Sequence, residues 1–416
     1  MTSAASPFDA IRPIRGQGVT RRAVSTSAMR DGRALSRVGS VTSFDVATTV
    51  DEFLALGEAW QRLEERVGAD TGLFQRFSWL SLWCKHFVDE KSGDLCVVTV
   101  RRDGELVCAL PLVVQNVLGL RQLTVMGGPV SQYSDALVVE GPDRIGYLRQ
   151  AWTIAMEHAR PSLVRIVKVR EDAALAQFLS ARGAIETSHE FAPFVRLDAF
   201  ESETAYWKRF SAKKLKNLRR LKRRLEERGP YSFDWALEGR AAEHAVGLMM
   251  VLKRAWLRER GCFSKAFGDP RFERFFAEAA QQSATTGVEM STLTTAGETA
   301  NSMLSVAWKG RMVLHVIAYN LKHERSSAGT LHVEAMIHEA FRRGVRVIDF
   351  LAPHQDYKKE WTDDAVRVSD FAVPVTAAGH IYTRVYLQLV REGLKTLARL
   401  LPASLTRRVA GLMARG

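Results

Sequence analysis

The chain has little cysteine: four in 416 residues, Cys84, Cys96, Cys108 and Cys262, with no Cys-x-x-Cys pair among them. A disulfide framework and a cysteine zinc site are thereby excluded, and the four read as reduced thiols of a cytosolic protein. Long apolar runs are also missing. The longest uncharged apolar stretch, residues 106–120, contains Gln115 and Asn116 and falls short of the roughly 20 residues that cross a bilayer. Near the N-terminus, Asp9, Arg12 and Arg15 interrupt any secretory apolar segment, and no apolar run follows Arg21-Arg22, so neither kind of export signal is expected. His-Glu-x-x-His, Gly-x-Ser-x-Gly and phosphate-loop patterns do not occur, which removes the zinc-peptidase, serine-hydrolase and nucleoside-triphosphatase classes. His-x4-Asp is absent too, against a glycerolipid-type acyltransferase. His332 and His338, six apart on a helix, do not make a metal pair, and no metal is expected.

Positive charge is what the chain does have, and its placement matters more than the net +13. Residues 1–40 hold seven arginines against Asp9 and Asp31. Residues 207–228 hold eleven lysines and arginines against Glu226 and Glu227, and residues 380–416 hold seven against Glu392. Such patches suit phosphates, RNA or acidic lipid. The first reads as a disordered basic tail, with an organelle transit peptide left open on composition.

From Ser43 onward the pattern is regular. Apolar spacing predicts helices over 50–66 and 77–87, then strands over 95–100 and 105–114 joined by Asp103-Gly104, a strong hairpin signal. A strand at 123–126, a helix at 145–158, a strand at 163–169, a helix at 173–181 and a strand at 194–197 complete an N-terminal half, 41–200. Residues 202–228 read as one long cationic helix with Leu215, Leu218, Leu221 and Leu225 on one face, closed by Gly229-Pro230. This helix, 201–229, is the expected link to a C-terminal half at 230–378. That half repeats the order: helices 241–258 and 270–283, strands 289–294, 300–308 and 312–319, a helix 331–343, a strand 345–351, a short turn 357–361 and a strand 366–374. Both halves therefore predict an α/β fold with mixed sheets flanked by helices. Residues 379–416 read as two short basic amphipathic helices split by Pro402, of a form suited to a membrane surface.

Ala318-Tyr319, Ser326-Ser327-Ala328-Gly329, Ile348-Asp349-Phe350 and Tyr357-Lys358-Lys359-Glu360-Trp361 together resemble the cellulose-biosynthesis acetyltransferase family (CelD/BcsL type). That family lies in the GNAT acyl-CoA N-acyltransferase superfamily and is related to the FemAB peptidoglycan aminoacyltransferases. Phe74-Gln75-Arg76-Phe77-Ser78-Trp79-Leu80, Ala109-Leu110-Pro111-Leu112 and Tyr133-Ser134-Asp135 fit it as well, so the resemblance runs from about Ser43 to Pro374. It implies two GNAT-like halves and acyl transfer from acyl-CoA, a co-substrate rather than a bound cofactor. The implied acceptor is an amine or hydroxyl of an envelope lipid, such as a sphingoid base, or of a polysaccharide precursor. A FemAB-like transfer from aminoacyl-tRNA and a non-catalytic membrane or nucleic-acid binder are the alternatives; nucleic acid ranks below CoA because only one strongly basic helix is evident.

Acyl transfer needs an anchor for the CoA phosphates, a slot for its arm, a polarised thioester and a base. Arg325, Ser326, Ser327, Gly329 and Thr330 precede the expected helix start at Leu331, where free amides and the helix dipole suit a pyrophosphate. The loop expected at the end of the 345–351 strand offers His354 as base, Asp356 as its orienter, Tyr357 as proton donor and Lys358 as a hold on phosphate or carboxylate. Asp349 reads as a buried structural carboxylate and His315 as a core residue. Tyr133, Asp135, Trp256 and Lys265 are candidates for acceptor binding, with Arg258 beside them. The enzyme is expected in the cytoplasm, on or near the inner face of the membrane.

Overall fold

The computed structural model describes residues 41–68, 70–88 and 95–390, without the side chains of 71, 324–326, 389 and 390. The expected N-terminal tail and the tail helices beyond 390 lie outside the described residues. The described chain forms two compact units. One runs to Ser188 and takes in Ser369–Gln388; the other is His189–Val368. The division at 188/189 precedes the boundary expected at 200/201, because residues 189–200 pack with the second unit.

In the first unit, strands β1 (Thr42–Ala47), β2 (Leu95–Arg102), β3 (Glu105–Val117) and β4 (Leu120–Val125) pair antiparallel in that order. Short β5 (Leu137–Val138) pairs with β3, and β6 (Leu163–Arg170) runs parallel to β4 after the helix Arg144–Ala159. Parallel neighbours require such a crossover. The expected 50–66 helix is two, Val50–Leu54 and Gly57–Arg66. A Cβ on Gly57 would sit 2.9 Å from the Phe77 ring, so the break places a glycine where the next helix comes close. β1, of which only Ala47 is buried, is a strand that the sequence did not predict.

The long strand β7 (Ile185–Arg196) leads into the second unit, which repeats the order. β8 (Tyr231–Trp235), β9 (Val288–Thr295), β10 (Glu298–Trp308) and β11 (Arg311–Tyr319) pair antiparallel. The helix Ala328–Arg342 then crosses to β12 (Val347–Asp349), parallel to β11 and antiparallel to residues 194–196 of β7. β13 (Ala365–Pro374) follows. In each unit, then, a strand, a set of helices, three antiparallel strands, a crossover helix and a parallel strand come in the same order.

Two helical layers cover the second sheet. On one face Met303, Met312, Leu314 and Ile317 pack against Val333, Met336 and Ile337 of the helix Ala328–Arg342. On the other lie the helices Gly239–Glu259 and Pro270–Gln281, where His315 meets Phe276 with ring centroids 5.0 Å apart. The expected long basic helix is two, Glu203–Lys208 and Ala212–Glu226. Ser211 starts the second, its Oγ accepting from Lys214 N at 3.2 Å. Leu218, Leu221 and Leu225, three and four apart, are buried against the second unit, each burial contributing about 1.5–3 kcal/mol. The helix is thus a packed element of that unit rather than a free link; apart from Lys214, which lies over the Trp361 ring, its basic residues lie on the exposed side.

Candidate functional site

β11 and β12 set the geometry. They pair only at Arg311–Val313 against Val347–Asp349. Just beyond, the register of β10 with β11 shifts: Leu304 faces Val316 while Ser305 faces Leu314, leaving His315 as the extra residue of a bulge. A bulge bends its strand, and β11 continues to Tyr319 while β12 ends at Asp349. From there on β11 and residues 350–353 are no longer paired with each other, and the Phe350 amide donates instead to Pro193 O at 2.9 Å.

The helix beyond β11 starts at Ala328, three residues earlier than expected. Ser327 precedes it in left-handed backbone, φ 53°, with no side-chain cap. Gly329 and Thr330 therefore lie in the first turn, where the Thr330 and Leu331 amides donate to Ser327 O at 2.9 and 3.3 Å. The side chains of Arg325 and Ser326 lie outside the described residues. Ala328 and Leu331 share a buried cluster with Leu221 and Leu225, so the cationic helix Ala212–Glu226 flanks this helix start. Gly329 is needed for packing: a Cβ there would stand 2.1 Å from Tyr319 Cε1. Gly329→Val is accordingly expected to destabilise the second unit by about 1–3 kcal/mol through overpacking. In a Tyr319→Ala background the same Gly329→Val step should cost much less in urea unfolding, since the ring it meets is gone; an unchanged increment would place the cost elsewhere.

The loop after β12 separates the four residues expected to act together. His354 and Asp356 are exposed, and Asp356 Oδ1 is 3.3 Å from Lys359 Nζ, not on the histidine. The pair of His354 with an orienting Asp356 is therefore not formed. Lys358 is buried at 5% exposure, its Nζ 2.7 Å from Leu351 O and 3.0 Å from Pro353 O. Burial lowers its ammonium to about 8, against the pull of Asp349 and Glu190 and with the push of Lys253. Tyr357 is largely buried, and both burial and the neighbouring Tyr319 raise its phenol well above the usual range. Tyr319 is itself pushed up to about 12 by burial. Both phenols stay protonated near neutral pH and can donate hydrogen bonds.

Asp349 is fully buried, accepting from Arg311 Nη1 at 3.2 Å and from the Leu351 amide at 2.9 Å, as a structural carboxylate does. His332 is fully buried with Nε2 2.8 Å from Ser291 Oγ, and burial depresses it to about 3, so it stays neutral. No group of metal-ligating side chains occurs among the described residues.

Tyr133 and Asp135, expected at the acceptor, are both buried. Each is 3% exposed in the first unit. Asp135 accepts from the amides of Ala136, Leu175 and Ala174 at 2.9, 3.0 and 3.3 Å, holding the start of the helix Ala174–Ala181, while burial raises it to about 6. The sequence pointed to a polar turn there but gave no sign of how deeply it is buried. Trp256 and Lys265 are partly exposed, and Lys265 begins the short helix Lys265–Gly268. The ring centroid of Trp256 lies 4.8 Å from Nζ of Lys253, a residue the sequence reading missed. Its signal was present: Val246, Met249 and Met250 are buried, and the same spacing of three and four puts Lys253 on their face.

Residues 212–359 match the family described as acetyltransferase (GNAT) domain, a span that covers every element of this site. No curated protein matches the chain. Among solved structures, FemX is similar over 79% of this chain and 97% of its own, at 12% identity and a TM-score of 0.55. A tandem GNAT protein from the clavulanic acid biosynthesis pathway is similar over 80% and 98%, at 15% identity and TM-score 0.44. L-PGS from Bacillus licheniformis is similar over 79% and 95%, at 13% identity and TM-score 0.48. The fold is thus of GNAT type, and the GNAT domain carried at 212–359 supports an acyltransferase.

Proposed function

We propose that the second unit transfers an acyl group from coenzyme A to an amine or hydroxyl of an envelope lipid, such as a sphingoid base, or of a polysaccharide precursor, as the cellulose-biosynthesis acetyltransferase resemblance implies. The carrying observation is the parting of β11 and β12 next to the first turn of the helix Ala328–Arg342. The donor's phosphates meet that first turn and the cationic flank of the helix Ala212–Glu226. Its extended arm lies along β11 beyond the end of the β12 pairing.

In the transfer the acceptor's nitrogen or oxygen attacks the thioester carbonyl, the carbon–sulfur bond breaks, and the departing thiolate needs a proton. A thiol titrates near 8.5. The Lys358 ammonium, lowered to about 8, gives a proton to such a thiolate at little cost, whereas the Tyr357 phenol, pushed far up, does not. Lys358 takes the proton-donor role and Tyr357 a hydrogen-bonding one. His354, exposed on the same loop, faces solvent as the candidate for removing the acceptor's proton.

The exposed basic side of the helix Ala212–Glu226 favours a second reading, an aminoacyl-tRNA donor of the FemAB kind. It equally suits an anionic leaflet; no helix among the described residues is long and apolar enough to cross a membrane. Incubation with acetyl-CoA and long-chain acyl-CoA, followed by titration of released thiol with an amine acceptor present and absent, tests the first reading. Acceptor-dependent thiol release supports it. Salt-sensitive RNA binding without coenzyme A binding favours the second.

A further inference from the structure

Lys253 and Lys358 come to the parting strands from opposite ends of the second unit's sequence. Lys253 Nζ lies 3.1 Å from Ile317 O on β11, in the stretch beyond the β12 pairing. Lys358 Nζ holds Leu351 O and Pro353 O, just beyond the end of β12. The Lys253 charge acts on Lys358. Neither amine forms an ion pair within 4.0 Å among the described residues; their partners are backbone carbonyls. Asp349, the carboxylate that most affects Lys358, is already engaged by Arg311 and the Leu351 amide. Burial lowers both ammonium groups to about 8.

Two desolvated cations without a counter-ion are unfavourable unless something supplies one. Lys253 is partly exposed. It lies on the helix Gly239–Glu259, on the opposite face of the sheet from the helix Ala328–Arg342.

We propose that Lys253 and Lys358 together bind an anionic oxygen group, a carboxylate or a phosphate, carried by the acyl acceptor. The assignment to the acceptor rests on the proposed acyl transfer, which puts the donor's phosphates on the other face. The ammonium forms hold the anion, the Trp256 ring lies against Lys253, and the acceptor's nucleophile is brought to the acyl carbon from the side away from the donor.

Calorimetric titration with inorganic phosphate and with malonate tests the pair in the full chain. The wild type should bind at least one of them saturably; preference for phosphate marks a phosphorylated acceptor, preference for malonate a carboxylated one. Lys253→Met should weaken that binding by about tenfold or more, the usual loss for a charged hydrogen bond. Lys253→Arg, which keeps the charge, should hold it close to the wild-type value. Lys253 is partly exposed, so its variants keep the test open where Lys358→Met fails to fold. Saturation by neither anion, or equal binding by Lys253→Met, overturns the proposal. Coenzyme A is titrated into the same proteins and should bind Lys253→Met as it binds the wild type. Loss of coenzyme A in step with the anions moves the pair to the donor and overturns the acceptor assignment. Anion binding without any coenzyme A binding leaves the pair standing and removes acyl-CoA as the donor.

Discussion

Lys358→Met is expected to lower turnover by about 10²–10⁴-fold, the range for loss of a group that moves a proton in the rate-limiting step. The side chain is buried with its amine on Leu351 O and Pro353 O, and methionine has similar length without the charge. Activity in the wild type should fall as pH rises through about 8, because the ammonium is the working form. The groups acting on it are Asp349, Glu190 and Lys253. Stability should move the other way. Between about 8 and the unfolded value of 10.5 the unfolded chain holds the Lys358 proton and the folded chain does not, so that lysine makes the fold more stable as pH rises there. Opposite slopes of rate and of stability across that window separate lost proton transfer from lost structure. A Lys358→Met variant with near wild-type turnover would end the role given to Lys358.

Asp349→Ala should destabilise the second unit by about 3–5 kcal/mol, the usual result of removing one member of a buried ion pair. The carboxylate has no exposed surface, and Arg311 is 8% exposed beside it. Alanine removes the Asp349 carboxylate from the guanidinium and the acceptor from the Leu351 amide. Asp349→Asn, which keeps an oxygen for that amide, should fall between. Urea unfolding followed by tryptophan emission measures both, since Trp361 is buried in the same unit. A loss below about 1 kcal/mol for alanine would mean that Arg311 is held elsewhere.

The sequence by itself determined the order and kind of the elements. Mostly apolar runs such as Arg311–Tyr319 and the spacing of Leu218, Leu221 and Leu225 are local consequences of backbone geometry and burial, so they show in the residues themselves. It also pointed to Asp349 as a buried carboxylate, placed between Ile348 and Phe350 in an apolar strand, and the side chain is fully buried. Short elements were less legible: β1 and β8 have too few buried residues to stand out, and Ser211 divides a basic stretch that reads as continuous.

Tertiary structure alone decided the site. Gly329 reads as a ligand-approach glycine in sequence and proves to lie under the Tyr319 ring, because the space at a Cβ is set by a side chain from another element. His354, Asp356, Tyr357 and Lys358 read as one constellation. The turn exposes the first two and buries Lys358, since residues adjacent along a short helix point in different directions. Lys253 meets the site only because the parallel pairing of β11 and β12 carries residues 317 and 351 beyond the same end of the pair. Contacts over such sequence distances depend on sheet order and strand divergence, and no spacing within the chain records them.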